Sequence, residues 1–206
     1  MNTHLDPSRT ALLLVDAQND YFHADGAYQR NGRHLAAGRS FIETLIRLCD
    51  SCRAAGVASV GCSFTLIADT QNAPLVPDFI KRQGINTLRG DFQVGKWGHN
   101  LIEEVKPVTY VVDKTGPSAF FRTALDVILR QRGVDTVLIA GLNSRRSVVA
   151  TAYDALSRGL HPVIVSDGST DFEPSAHQQL VDALDGVFEV RKTAEVVTAL
   201  GVAAVA

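Results

Sequence analysis

The sequence predicts an α/β fold, a mostly parallel sheet with helices on both faces, and two observations carry the prediction. Short unbroken apolar runs, such as Thr10–Val15 and Val134–Ala140, read as central strands covered on both sides. Between such runs lie stretches with apolar residues at helical spacing, so strand and helix alternate along the chain, the order that builds right-handed parallel crossovers.

At 206 residues the chain suits one domain over 1–206, with room at most for a small insertion. Hydrophobic residues make up 46% and charged residues 20%, ordinary for a globular protein that buries a real core. The formal net charge of −2 leaves no basic face large enough for nucleic acid or an anionic membrane. No apolar run approaches the ~20 residues that span a bilayer. The opening MNTHLDPSRTALLLVDAQ meets charge too early for a signal peptide, so the cytoplasm is the expected location.

Thr10–Val15 is the first strand and ends at Asp16. A carboxylate at the C-terminal end of a buried strand points into the crevice where open α/β sheets bind ligands, although a turn or helix-capping Asp occupies the same place. Residues 35–55 follow as a helix that stops at Gly56. Its Cys49-x-x-Cys52 lies near the helix end, where the dipole disfavours a thiolate, and no second ligand pair for zinc follows. With Cys62 these read as ordinary buried thiols, not a disulfide framework. Val57–Phe64 is the second strand.

The connection from Thr65 to Gly98 carries Pro74, Pro77 and four glycines, a composition that suits a lid or binding loop. Within it, Gly90 to Lys96 spells a phosphate-loop pattern, but Trp97 stands where Ser or Thr would hold magnesium. Nucleotide binding is therefore not expected. A short helix over His99–Val105 and a third buried strand over Val108–Val112 lead to Asp113-Lys114. Lys114 suits either a snorkelling surface residue or a crevice cation.

Pro117-Ser118 opens a predicted helix that runs to about Arg132, with Gly133 after its end. Val134–Ala140 is the fourth strand. It breaks at Gly141, turns through Leu142–Arg146 and re-enters a helical pattern at Ser147. Such a turn gathers free N–H groups and the positive end of a helix dipole, which can stabilise an anion or a transient oxyanion. Ser147 has the position a nucleophile needs. Pro162–Val165, a helix over Ser175–Leu184, a short strand near Val187–Val190 and a helix from about Ala194 complete the chain. Asp16, Lys114 and Ser147 each fall just past a strand's C-terminal end, so one topological rule brings three polar residues to one rim.

Four segments, LLLVDAQNDYF at 12–22, VVDKTGPSAFFRTAL at 111–125, GLNSRRSVVATAYDALSRG at 141–159 and VSDGSTDFEPSAH at 165–177, resemble the isochorismatase-like cysteine hydrolases. That superfamily holds isochorismatases, nicotinamidases, N-carbamoylsarcosine amidases, ureidoacrylate amidohydrolases and biuret hydrolases. The segments keep the family's order and spacing over most of the chain. The resemblance implies a three-layer α/β/α sandwich with a six-stranded parallel sheet, assembled as homodimers or homotetramers, and an Asp–Lys–Cys triad that cleaves a C–N bond of a small amide, carbamoyl or ureide substrate. Carried over by position, Asp16 is the general base and Lys114 the cation that lowers the nucleophile's pKa. Ser147 stands where the cysteine belongs. The implied oxyanion hole is the N–H groups of Asn143 and Ser147, with a non-proline cis peptide between Leu142 and Asn143.

The serine is a departure, since a hydroxyl is a far weaker acid than a thiol and the same triad activates it poorly. It is consistent with a cysteine replaced to trap a substrate, with a natural serine in a slow hydrolase or non-catalytic binder, or with isochorismatase-type enol-ether hydrolysis, which needs no thiol. SAFFRTAL at 118–125 and the D-x-x-x-D-F run at Asp167–Phe172 resemble that last branch. Thr115-Gly116, where the branch carries an aromatic pair, and Ser147, where it carries glycine, favour amide hydrolysis.

Some members bind zinc through an Asp-x-His pair and a further histidine. Here FTLIADTQNAP supplies Asp69 without histidine, and none of the six histidines shows ligand spacing, so neither metal nor other cofactor is expected. For specificity, Arg145 and Arg146 are placed to hold a substrate carboxylate or carbonyl, or else simply begin a solvated helix. Gln18, Phe22, Trp97 and Phe120 are candidate pocket walls by family position or nearness in sequence, or else plain core.

Overall fold

The structure is a computed structural model that describes residues 4–35, 38–184 and 186–202. Six parallel strands, β1 (Thr10–Val15), β2 (Ala58–Phe64), β3 (Tyr110–Lys114), β4 (Thr136–Gly141), β5 (His161–Ser169) and β6 (Glu189–Arg191), form one sheet in the order β3-β2-β1-β4-β5-β6. The order reverses between β1 and β4, and such a switch point opens a crevice at the strands' C-terminal ends. Val15 pairs with Cys62 on one side and Gly141 on the other, and Phe64 pairs with Lys114. That register brings the ends of four strands to one rim.

Side chains alternate across the sheet, so β1 feeds two cores. Leu12 and Leu14 pack with Leu45 and Leu48 of α1 (Gly38–Ala54) and with Val196 of the C-terminal helix Thr193–Ala199. Leu13 and Val15 face the opposite way, toward Leu125 and Leu129 of α2 (Leu125–Gln131) and Ala152 of α3 (Val149–Ser157). Leu184, which ends the helix Pro174–Leu184, closes this second layer. Every side chain of β1 is buried, as its unbroken apolar run requires.

A third cluster, Tyr21, Tyr28, Phe64, Ile80, Phe92 and Leu142, lies under the long 65–98 connection at the C-terminal rim. Asp20 ties this region together. Its carboxylate accepts the N–H groups of Ala27 at 3.1 Å and Phe92 at 2.6 Å. A Cβ at Gly98 would fall 2.2 Å from the same carboxylate, so only glycine allows the connection to pass there.

Several elements differ from their sequence expectation. The third strand is the edge of the sheet, so Val111 and Asp113 are exposed and only Val112 and Lys114 turn inward. Helix α2 begins at Leu125, not at Pro117-Ser118. Residues 118–124 form turns in which Ser118, Thr123 and Thr151 hydroxyls bond backbone groups that a helix would otherwise use. The expected helix over His99–Val105 is two separate 3-10 turns, Trp97–His99 and Glu103–Val105. Strand β5 continues four residues past Val165, with a register break opposite Ile139 and Gly141. Among the described residues no helix is long and apolar enough to cross a membrane.

Candidate active site

The rim assembles from three strand ends. Asp16 follows β1 with φ of 55°, a left-handed conformation uncommon outside glycine, and its N–H donates to Cys62 O at 3.0 Å. Lys114 is the last residue of β3, and Ser147 sits in the turn after β4. All three are at most 2% exposed. The Lys114 ammonium lies 2.9 and 3.0 Å from the two Asp16 oxygens, 3.1 Å from Gly116 O and 3.5 Å from Ser147 Oγ. Its three donors thus meet a carboxylate, a carbonyl and a hydroxyl. Burial raises the Asp16 carboxyl above the usual aspartate range, against the opposing pull of Lys114 and the Ser147 hydroxyl.

The turn after β4 depends on Gly141. Its φ is 121°, and a Cβ there would lie 2.1 Å from Val15 O, so a side chain would push β4 off β1. Leu142 N–H donates to that same Val15 carbonyl at 2.8 Å. The Leu142–Asn143 peptide is cis. Ser144–Val148 then form one π-helical turn in which the N–H groups of Arg146, Ser147 and Val148 converge on Asn143 O at 3.0, 2.8 and 3.2 Å. The expected oxyanion-hole donors differ in what they do in this turn. The Ser147 N–H, assigned to an oxyanion hole, is donated to Asn143 O by the closure of that turn. The Asn143 N–H has no partner among the described residues.

The two neighbouring arginines separate. Arg145 reaches the segment just past β5, where its Nε and Nη2 donate to the fully buried Asp171 carboxylate at 3.1 and 3.0 Å. Arg146 turns the other way. Its guanidinium lies 4.6 Å from the Phe79 ring, beside Tyr28 and within the field of Asp16. A cleft of about 470 Å³ opens next to it, walled by Arg33, Phe79, Arg82 and Phe172 and floored in part by Asn143.

Among the described residues the side chains of the other four candidates make no hydrogen bond to Asp16, Lys114 or Ser147. The Gln18 amide is used up as a clamp, exchanging bonds with Phe64 N–H and C=O at 2.7 and 2.9 Å and donating to His99 O at 2.9 Å. Phe22 stacks on Phe41 of α1 and also packs against the rim cluster that holds Tyr21, Phe64 and Leu142. Phe120 belongs to the core on the far face of the sheet, under the Arg158 guanidinium. Trp97 is 47% exposed, edge-on to His23. Asp69 caps its own turn, accepting the N–H groups of Gln71 and Ala73. Tyr28, Phe79, Arg33 and Arg82 carry no signal in the sequence, because they lie in or beside four-residue helices, Ala27–Arg30 and Asp78–Lys81, too short to show a helical period. Asp171 was visible only as part of the D-x-x-x-D-F run.

A buried carboxylate, ammonium and hydroxyl meet at the switch point of an all-parallel sheet, which places the chain among α/β proteins with a polar site at the C-terminal rim. The family model described as the isochorismatase domain matches residues 10–199, and the chain belongs to that family. It is 28% identical over 186 residues to the ureidoacrylate amidohydrolase RutB of Rhizobium rhizogenes, covering 85% of this chain and 76% of that protein. Among solved structures it is similar to a cysteine hydrolase from Pseudomonas syringae pv. phaseolicola, with a TM-score of 0.81, 22% identity and coverage of 96% and 94% of the two chains. N-carbamoylsarcosine amidase from Thermoplasma acidophilum is similar at a TM-score of 0.67 and 25% identity, covering 90% and 96%.

Proposed function

We propose that the chain hydrolyses a C–N bond, other than a peptide bond, in a small amide, carbamoyl or ureide substrate, with Asp16, Lys114 and residue 147 as the reacting groups. The observation that carries this reading is the single Lys114 ammonium in reach of both the Asp16 carboxylate and Ser147 Oγ. The likeness to a ureidoacrylate amidohydrolase and an N-carbamoylsarcosine amidase supports the same bond type.

Asp16 takes the proton of the residue 147 nucleophile, which bonds to the carbonyl carbon. The tetrahedral oxyanion is met by the Asn143 N–H, and by the Ser147 N–H once the turn releases it. As the C–N bond breaks, Asp16 returns the proton to the leaving amine. Water then attacks the acyl-enzyme with Asp16 as base, which frees the acid and restores the nucleophile. Lys114 favours the ionised nucleophile, an effect well matched to a thiol and poorly to a hydroxyl. We read Ser147 as replacing that thiol, so the chain as it stands is a slow or trapped hydrolase. The reading includes assembly of two or four copies in the cytoplasm, which light scattering and fractionation test.

The experiment is Ser147→Cys assayed for released ammonia or amine on a panel of small amides and ureides. A gain of about 10²-fold or more is expected, the scale of an activated nucleophile. Unchanged turnover across the panel rejects the reading. It would favour instead a member that binds a small ligand without turning it over, a reading supported by the donated Ser147 N–H.

A further inference from the structure

Asp16, Lys114 and Ser147 are at most 2% exposed, and none of them lines the cleft of about 470 Å³ next to Arg146. An attacking atom must come within about 3–3.5 Å of the carbon it bonds. A molecule in the cleft therefore reacts at residue 147 only if something between the two gives way.

Two phenyl rings connect the cleft to the triad. The Lys114 ammonium lies 5.6 Å from the centre of the Phe64 ring, Phe64 meets Phe79 edge to face at 5.7 Å, and Phe79 carries the Arg146 guanidinium at 4.6 Å. Phe79 and Arg146 are themselves cleft walls. Phe64 is fixed, because it ends β2, is buried, and has its N–H and C=O clamped by the Gln18 amide. Asn143, which lines the cleft from the turn, is fixed by the N–H groups that converge on its carbonyl. Tyr28 and Phe92 are fully buried and packed on other rings of the rim cluster. Phe79 differs. It is half-buried, and among the described residues Phe64 is the only ring it meets. Its backbone is held by fully buried Ile80 and by the Gln83 amide, which donates to Phe79 O at 2.9 Å, so the side chain can turn while the helix Asp78–Lys81 stays. The cleft gives the ring room to turn into.

We infer that the Phe79 ring, held shut by the Arg146 guanidinium, is the partition between cleft and triad and decides by size which molecules reach residue 147. Arg146 suits the task because no carboxylate lies at ion-pair distance from it among the described residues. Its charge is left for the ring face and the Tyr28 phenol. Turning one phenyl ring opens a slot one ring wide, which passes a small amide or ureide and holds back one with a bulky substituent on nitrogen.

The inference rests on the proposed hydrolase only for the identity of what passes, so entry is measured without turnover. Ser147→Cys is alkylated with iodoacetamide and with iodoacetanilide, which share the reacting group and differ by a phenyl ring. The ratio of the two rates cancels the thiolate fraction, and comparison with the unfolded variant cancels intrinsic reactivity. In the folded variant iodoacetanilide is expected to fall behind by about tenfold or more, since labelling follows the population of the open form. Adding Phe79→Ala is expected to remove most of that gap. Arg146→Gln narrows it by about three- to tenfold, the scale of one lost cation–π contact. Arg146→Lys, which keeps a cation for the ring, and Leu75→Ala, 70% exposed on the same connection, leave it in place. No gap in the folded variant, a gap unmoved by Phe79→Ala, or labelling by neither reagent overturns the inference. So does labelling of the buried Cys62 along with residue 147 in the Phe79→Ala variant, which would make the ring a structural wedge. Size-selective labelling in a variant that hydrolyses no amide leaves the partition standing and removes the hydrolase; turnover without a gap does the reverse.

Discussion

The Lys114 ammonium and the Asp16 carboxylate meet at 2.9 Å although 98 residues separate them, and both are buried to within 1%. Removing two charges from water costs several kcal/mol each, and their attraction about offsets that cost, so the pair adds little net stability over two apolar residues. A pair that adds little to the fold and lies against Ser147 Oγ fits the proposed chemistry better than a structural role.

This balance has a measurable signature. Asp16→Asn and Lys114→Met each leave one buried group without its partner and are expected to cost about 3–5 kcal/mol in denaturant unfolding. The double variant is expected to recover most of that loss while remaining inactive in the Ser147→Cys background. A double variant as unstable as the sum of the singles would show that the two groups do not act as a pair.

The pH dependence follows from the buried Asp16 carboxyl. Acting as a base, it works only when ionised, and burial raises its pKa, so protonation begins at a higher pH than for an exposed aspartate. The acid limb of kcat/KM for Ser147→Cys is therefore expected above the value of about 3.9 for an ordinary aspartate. An acid limb at or below that value would exclude Asp16 as the base. Lys114→Met removes the cation that opposes the shift and moves any residual limb further upward.

The thiols provide a separate check on position 147. Burial pushes Cys49, Cys52 and Cys62 up to about 12, which leaves almost no thiolate at neutral pH. The native chain is expected to resist iodoacetamide until it is unfolded, when three cysteines react. Ser147→Cys adds one thiol 3.5 Å or so from the Lys114 ammonium, and alkylation of the folded variant is expected at that residue alone. Rapid labelling of Cys62 in the native chain would contradict its placement beneath the triad.

Local runs in the sequence located β1, β2 and β4, and Asp16 at the end of β1, because an apolar run and the residue that ends it are neighbours in the chain. What it could not show depended on distant partners. Val108–Val112 reads as buried by composition, yet β3 has a neighbour on one side only and leaves Val111 outside. Phe120 and Phe22 look alike as aromatics near motif residues, and only tertiary packing sends one beneath the sheet and the other under α1. The cleft's Arg33 and Arg82 come from two segments 49 residues apart, whose meeting no periodicity announces.

Arg145 and Arg146 show the same limit most sharply, and their separation is testable. Adjacent residues of one type are equivalent in sequence. Strand β5 runs on to Ser169 and so places Asp171 where it captures Arg145 alone. Arg145→Met leaves that carboxylate buried, with only the Phe172 N–H at 2.8 Å as a charge-stabilising partner besides the weaker Arg145 N–H at 3.5 Å. Its expected cost is about 1.5–3 kcal/mol of stability, the range for a hydrogen bond to a charged group, toward the low end because the arginine side chain is half exposed to water. Asp171→Asn is expected to destabilise similarly. In the Ser147→Cys background, the lag of iodoacetanilide behind iodoacetamide should shrink with Arg146→Gln and hold with Arg145→Met. Equal effects from the two arginines would mean that the Asp171 clamp does not divide their roles.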